Sequence, residues 1–221
     1  GAGFARQKNI RHLVYAVDAI PAPIGWLSDG AYYKGIKKLV ARYLVNIDGL
    51  FSANEKMLNY QLTTFKPKKN IISGVIYNPS AGKLQLYQHQ HNKENVFLYA
   101  GGIYGPRKPV YVLQAFKKIL KAYPNSALEF VGSVIPDDYF SDFTTGEREK
   151  VRICPFTADL TPYYQRATAL IDIDAELPDD VFLSSKITNY ITINRIIISE
   201  TGNDSPSRRL FKNIPSILQC G

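Results

Sequence analysis

Apolar positions in this chain fall into short runs and helical stripes that alternate along most of its length. IRHLVYAV (10–17) reads as a strand. The loop after it, DAIPAPIGW, holds too much proline for a helix. Ala31–Val45 sets Tyr32, Ile36, Leu39, Val40 and Tyr43 on one face and Lys34, Lys37, Lys38 and Arg42 largely on others, the pattern of a basic amphipathic helix. Gly49–Ser52 is a short strand, and Ala53–Phe65 is a second helix with Ser52 or Asn54 available as N-cap. Asn70–Ile76 is a third strand, closed by Asn78-Pro79. The stretch Ser80–Glu94 is polar and reads as a linker, and its His89 and His91 belong to that linker character more than to a metal site.

A second series begins at Val96. Runs at Val96–Ala100, Ala127–Val131, Val151–Cys154, Ala169–Asp174 and Arg195–Ser199 predict strands. Helices are expected at Pro109–Ala122, Leu160–Ala167 and Ser185–Thr192. In the first of these, Val110, Leu113, Phe116, Ile119 and Leu120 share one face. Such alternation predicts an α/β fold: a Rossmann-type, doubly wound parallel sheet with ligands at the strand C-termini, preceded by a second, shorter α/β run. The expected division is 1–80 for the N-terminal α/β domain, which the resemblance given below makes a partial one, 81–94 for the linker and 95–221 for the C-terminal domain. After Asp204 the pattern fades. Tyr163 and Tyr164 are expected in the core, and Cys154 in a buried strand.

The 221 residues are enough to bury a proper core. No apolar run approaches the twenty or so residues that a membrane span needs. Two cysteines, Cys154 and Cys220, do not make a disulfide framework, so a reducing cytoplasm is the expected setting. Charge changes the picture more. Residues 1–94 hold 13 Lys+Arg against 5 Asp+Glu, whereas residues 95–221 hold 14 of each. The whole excess therefore lies in the N-terminal part and suggests an anionic partner there: a membrane surface, a phosphorylated acceptor or nucleic acid. A solvated basic face is the plainer reading. The cations are scattered on an amphipathic helix without the interleaved aromatic sheet motifs of nucleic-acid modules, so nucleic acid is discounted.

The chemistry concentrates in VFLYAGGIYGPRKPVYVLQAF. An apolar run empties into Gly101-Gly102, and a short loop with Arg107 and Lys108 leads into the next helix. Glycines let backbone N–H groups approach an anion, and the helix presents its positive end to the same point. It is neither the dinucleotide fingerprint, lacking a third glycine in register, nor a Walker loop, lacking Gly-Lys-Ser/Thr. A plain crossover with a glycine turn is the alternative.

Three blocks in order extend this motif: the one above with YPNSALEFVG, then VRICPFTADLTPYYQRATALIDID, then FLSSKITNYITINRIIISETGNDS. Together they resemble the donor-binding half of GT-B glycosyltransferases, specifically the family-4 group of retaining, nucleotide-sugar-dependent enzymes. VDAIPAPIGW and NIDGLFSANEKML resemble the second half of that family's N-terminal domain, whose first half would be absent. The resemblance implies sugar transfer from a nucleotide-sugar to a glycan or lipid-linked acceptor, in the cytoplasm or peripherally at the inner membrane face. It implies no cofactor and no metal, with the nucleotide-sugar as substrate. It also implies Arg107 and Lys186 as the cations on the leaving diphosphate. Gly101, Gly102, Lys108, Ser184 and Ser185 would line the donor site, either serine capping the helix that carries Lys186. Phe156, in the loop after the third strand, either stacks on the base or is a core or turn aromatic. The glutamate that the family sets against the ribose is Asn189 here, and its partner glutamate falls at Val181. Glu176, Asp179 and Asp180 lie near enough in sequence to substitute. Loss of the acidic pair keeps open a second reading: a non-catalytic nucleotide-sugar-binding or scaffold module.

Overall fold

Helices and strands alternate much as the periodicity predicts, in a computed structural model that describes residues 2–26, 30–67, 70–79, 84–88, 94–175, 177 and 180–220. The first elements are α1 (Ala2–Gln7), β1 (Leu13–Ala16), α2 (Gly30–Leu44), β2 (Gly49–Ser52), α3 (Glu55–Phe65) and β3 (Ile72–Val75). After them come β4 (Asn95–Ala100), α4 (Val110–Ala122), β5 (Ser126–Val131), α5 (Thr145–Glu149), β6 (Val151–Cys154) and α6 (Thr161–Arg166). The last are β7 (Ala169–Ile173), α7 (Ser185–Tyr190), β8 (Ile196–Glu200), α8 (Pro206–Phe211) and β9 (Ile217–Cys220). Two compact units result. The first comprises Gly1–Pro79, Leu177–Leu183 and Asp204–Arg209, and the second Ser80–Glu176, Ser184–Asn203 and Leu210–Gly221.

In the first unit β1, β2 and β3 form a three-stranded parallel sheet with Leu13, Gly49 and Ile72 in register. The Asn54 side chain accepts from the Met57 N–H at 2.9 Å, so the N-cap expected there is made. The apolar stripe of α3 then meets one face of the sheet, where Ile47, Leu50 and Leu58 are buried with Val14, Leu62 and Val75 against them. A second small cluster joins Ala19, Ala53 and Met57 to Val181. On the other face of the sheet Leu13 and Ile72 are each 53% exposed.

The second unit is a six-stranded parallel sheet in the order β6-β5-β4-β7-β8-β9. Every residue of β5 and of β7 is buried, as expected of strands covered on both faces. Under α4, Leu113 and Phe116 pack on Tyr99, Leu128, Phe130, Ile171 and Ile173. The alternate residues point the other way, among them Glu129, whose buried carboxylate is held by Arg152 at 3.0 Å and Arg166 at 2.8 Å. Two crossovers run outward from β4 to β6, and the chain then returns to lay β7 against β4. The order reverses there: β4 and β7 pair only through Phe97–Ala169 and Leu98–Leu170, so the segments leaving their C-terminal ends stand where open α/β sheets form a ligand crevice.

Some expectations are corrected. β6 is the edge strand, with Arg152 and Ile153 exposed, so Cys154 is half-buried. Tyr163 and Tyr164 are also half-buried: one lies under the Arg166 guanidinium at 4.1 Å, the other beside Tyr87 with ring centroids 5.8 Å apart. The helix expected over Ser185–Thr192 ends at Tyr190. Beyond Asp204 the fading pattern concealed α8 and β9, the latter paired in parallel with β8. α5 was also missed, although Thr144 and Glu147 form a complete capping box. Within the polar stretch expected as linker, Gln85 bridges to Ile193. His89 and His91 lie outside the described residues.

Candidate anion site at the strand reversal

The site is built on the loops that leave β4 and β7. At Gly101 the backbone turns with φ of +137°, and its N–H donates to the Val131 carbonyl at 2.8 Å. A Cβ at Gly101 would stand 2.3 Å from Lys186 Cε. Only glycine leaves room for that lysine stem to cross. The Lys186 ammonium ends 5.2 Å from the centre of the Tyr99 ring, at the end of β4.

α7 carries Lys186 and is fastened to both central strands. Ser184 occupies its N-cap position, but the Ser184 side chain does not cap the helix. The Ser184 hydroxyl instead donates to Asp172 Oδ1 at 2.6 Å, and the Ser199 hydroxyl donates to Asp172 Oδ2 at 3.2 Å. At the other end of α7 the buried Tyr190 hydroxyl accepts from the Ala100 N–H at 2.9 Å. The expected serine cap is thus corrected: the serine spends its hydrogen bond on a buried carboxylate of β7, offsetting part of the cost of its burial.

Arg107 sits in the loop from β4 to α4 and is 8% exposed. Its Nη2 lies 3.8 Å from Asp174 Oδ1, and its guanidinium lies 5.2 Å from the centre of the Tyr104 ring. Burial by itself disfavours the Arg107 charge, yet Asp174, Tyr104 and Tyr99 together hold its pKa above the ordinary value. Lys186 goes the other way: burial, and then the neighbouring Arg107 charge, lower its pKa. Burial raises the Asp172 pKa, against hydrogen bonds from Ser184 and Ser199 and the nearby cations. Two cations and two carboxylates therefore meet where the sheet order reverses. An anion arriving there meets a guanidinium fork and an ammonium in a site of low dielectric.

The other residues singled out from sequence are placed as follows. Lys108, Ser185 and Asn189 present exposed side chains, and the Gly102 carbonyl accepts from the Tyr99 hydroxyl at 3.0 Å. Phe156 is 83% exposed and lies against the turn after β5, where a Cβ on Gly132 would meet its ring at 3.5 Å. The ring is therefore an open platform beside a turn, not a core aromatic. Asp180 does not offer a free carboxylate: its Oδ1 accepts from Trp26 Nε1 at 2.9 Å and from the Phe182 N–H at 3.3 Å. Val181 is a core residue of the first unit. Glu176 and Asp179 lie outside the described residues.

Asp172 and Asp174 were missed, as was the clamp by Tyr190. The signal was present in LIDID, because acidic residues inside an apolar strand are buried only when something pairs with them. Among the described residues, no group of three or more His, Cys, Asp or Glu is placed to hold a metal ion. Among the same residues, no helix is long and apolar enough to cross a membrane.

No protein-family model matches the chain, and no curated protein matches it by sequence. Solved structures do match. TarM covers 90% of this chain with a TM-score of 0.64 at 11% identity, using 38% of its own length. HepE from Anabaena, solved with UDP and glucose, covers 98% with a TM-score of 0.62 at 11% identity, using 59% of its length. The pneumococcal O-GlcNAc transferase GtfA, solved with UDP and GlcNAc, covers 94% with a TM-score of 0.59 at 10% identity, using 40% of its length. The chain thus spans about two-fifths to three-fifths of the length of these proteins. What it shares with them is the α/β, Rossmann-like fold of the GT-B glycosyltransferases, with its parallel sheets of three and six strands.

Proposed function

We propose that this chain is the donor-binding part of a glycosyltransferase that moves a sugar from a nucleotide-sugar to a glycan or glycoconjugate acceptor. The observation that carries this reading is the convergence of Arg107, from the loop after β4, and Lys186, from the first turn of α7, at the reversal between β4 and β7. Transfer requires the leaving nucleoside diphosphate to be held while negative charge grows on it. The Arg107 fork engages two phosphate oxygens and the Lys186 ammonium a third, so both interactions strengthen as the bond to the sugar breaks. That division of labour needs no divalent ion. Phe156 stacks on the base, while Gly101 and Gly102 let backbone approach the phosphates.

The family-4 resemblance adds finer expectations: retention of anomeric configuration, use in polysaccharide or glycoconjugate assembly, and work in the cytoplasm. HepE and GtfA, both solved with UDP and a sugar, make UDP-linked donors the first to try.

A panel of UDP-, GDP-, ADP- and CMP-linked compounds, read by thermal shift with and without chelator, tests donor binding. One nucleotide diphosphate is expected to stabilise the protein equally with chelator present. Strict dependence on Mg²⁺ or Mn²⁺ would overturn the metal-independent part, and no response to any nucleotide would overturn the donor site.

A second reading, a nucleotide-sugar-binding module without catalysis, is favoured by Asn189 and the buried Val181 standing where the resembling enzymes carry glutamates. Binding of a nucleotide-sugar with neither transfer to added glycan acceptors nor slow hydrolysis of the donor would select it.

A further inference from the structure

α2 has a property that the donor reading does not use. None of its residues is buried. Its inner side is half-covered: Leu44 packs against the cluster of Ile47, Leu50 and Leu58, and the Tyr33 hydroxyl lies 3.4 Å from that of Tyr60. The apolar face anticipated from sequence is thus divided. Ile36 and Val40 turn toward the half-covered side, whereas Tyr32, Leu39 and Tyr43 are 56%, 49% and 59% exposed. At 100° per residue these three form one strip along the outer side. Lys34, Lys38 and Arg42, four residues apart and all exposed, form a second exposed strip about 120° further round the helix. Lys37 lies apart from these three, with its ammonium 6.0 Å from the centre of the Tyr33 ring. Among the described residues, none of Lys34, Lys38 and Arg42 takes part in an ion pair.

We propose that this outer side of α2 docks on an anionic lipid bilayer, with the helix parallel to the surface. Tyr32, Leu39 and Tyr43 enter the boundary between headgroups and acyl chains, and Lys34, Lys38 and Arg42 rest on lipid phosphates. The two strips match the two layers of that interface: amphipathic rings and a leucyl side chain gain by leaving water, and cations gain from the negative surface potential. A dissolved polyanion would satisfy the cations but leave Leu39 and the tyrosines in water. The charge around the helix agrees, since residues 1–94 hold 13 Lys+Arg against 5 Asp+Glu. This surface is independent of the donor site, and its test contains no nucleotide.

The test is co-sedimentation of the 221-residue chain with phosphatidylcholine vesicles, with and without phosphatidylglycerol, at low and at physiological salt. Binding is expected on the anionic vesicles and weakens as salt rises. Each cation near such a leaflet raises partition about five-fold, so Lys34→Gln, Lys38→Gln and Arg42→Gln together reduce it by roughly two orders of magnitude at low salt. A control removes two exposed cations of α4, Lys118→Gln with Lys121→Gln, and leaves partition unchanged. Leu39→Ser with Tyr43→Ser weakens binding at both salt concentrations; it gives an independent answer if circular dichroism shows the triple variant unfolded. Equal partition onto neutral and anionic vesicles would overturn the proposal. So would undiminished binding by both variants, or an absence of vesicle binding alongside capture of single-stranded oligonucleotide that the triple variant loses.

Discussion

The two units handle positive charge in opposite ways. In the second, Arg107 and Lys186 are drawn into a crevice beside Asp174 and Asp172, and the unit's buried Glu129 is matched by Arg152 and Arg166. Each of these charges has a position enforced by its neighbours. In the first, Lys34, Lys38 and Arg42 stand in solvent on a helix with no buried residue, in a region with a large cationic surplus. Buried charge of the first kind selects one ligand geometry. Exposed charge of the second kind acts additively over a surface and yields to salt. The same contrast holds for backbone: the site in the second unit depends on a left-handed glycine under a lysine stem, whereas a Cβ added to either glycine of α2 would meet nothing within 4 Å.

The largest effect that would break this contrast is expected at Arg107. Arg107→Ala removes the fork and takes the cation from Asp174 in a buried setting. Nucleotide diphosphate affinity falls by about 1.5–3 kcal/mol. Stability falls by up to about 3 kcal/mol, because a buried carboxylate loses its counter-charge. Adding Asp174→Asn restores stability but not affinity, which calorimetry and denaturant unfolding separate. Unchanged affinity in the single variant would return Arg107 to an ordinary loop.

One substitution made in both units sharpens the contrast further. Gly101→Ala meets Lys186 Cε and an unfavourable φ, so it costs about 1–3 kcal/mol and displaces the lysine. Gly35→Ala, in α2, meets nothing within 4 Å and is expected to stabilise by about 0.5–1 kcal/mol. Thermal unfolding of the two variants reads the opposite signs directly.

The smallest effect concerns pH. Burial and Arg107 lower the Lys186 pKa, so its ammonium is present below that pKa and is lost at a lower pH than a free lysine's. Affinity for a diphosphate is therefore full on the acid side of that pKa and declines as pH rises through it, by about five- to ten-fold. Lys186→Arg keeps its charge and abolishes the alkaline limb. A limb that persists in Lys186→Arg would assign it to another group.

Much of this architecture was legible from periodicity. β2 and β6 appear at the expected residues, α4 presents Leu113 and Phe116 as its apolar stripe foretold, and Asn54 caps α3. β9 was not legible, because Ile217–Cys220 is too short to declare itself and becomes a strand only by pairing with β8. The depth of Cys154 was misjudged for a related reason: an apolar run does not say whether its strand is central or at the edge.

The candidate site divides along the same line. The amino-acid sequence alone determined the order of strands and helices, the glycine turn after β4, the cations at 107 and 186, and the imbalance of charge between the two parts of the chain. Those are properties of composition and local spacing, which need no partner to exist. Only the tertiary structure decided that Lys186 crosses Gly101, that Ser184 answers Asp172 instead of capping its helix, and that Arg107 faces Asp174. Each joins residues 12 to 85 positions apart, brought together because β7 returns to lie beside β4. Pairings at that separation are set by strand order and by the cost of burying a charge without a partner, and neither is written in any local pattern.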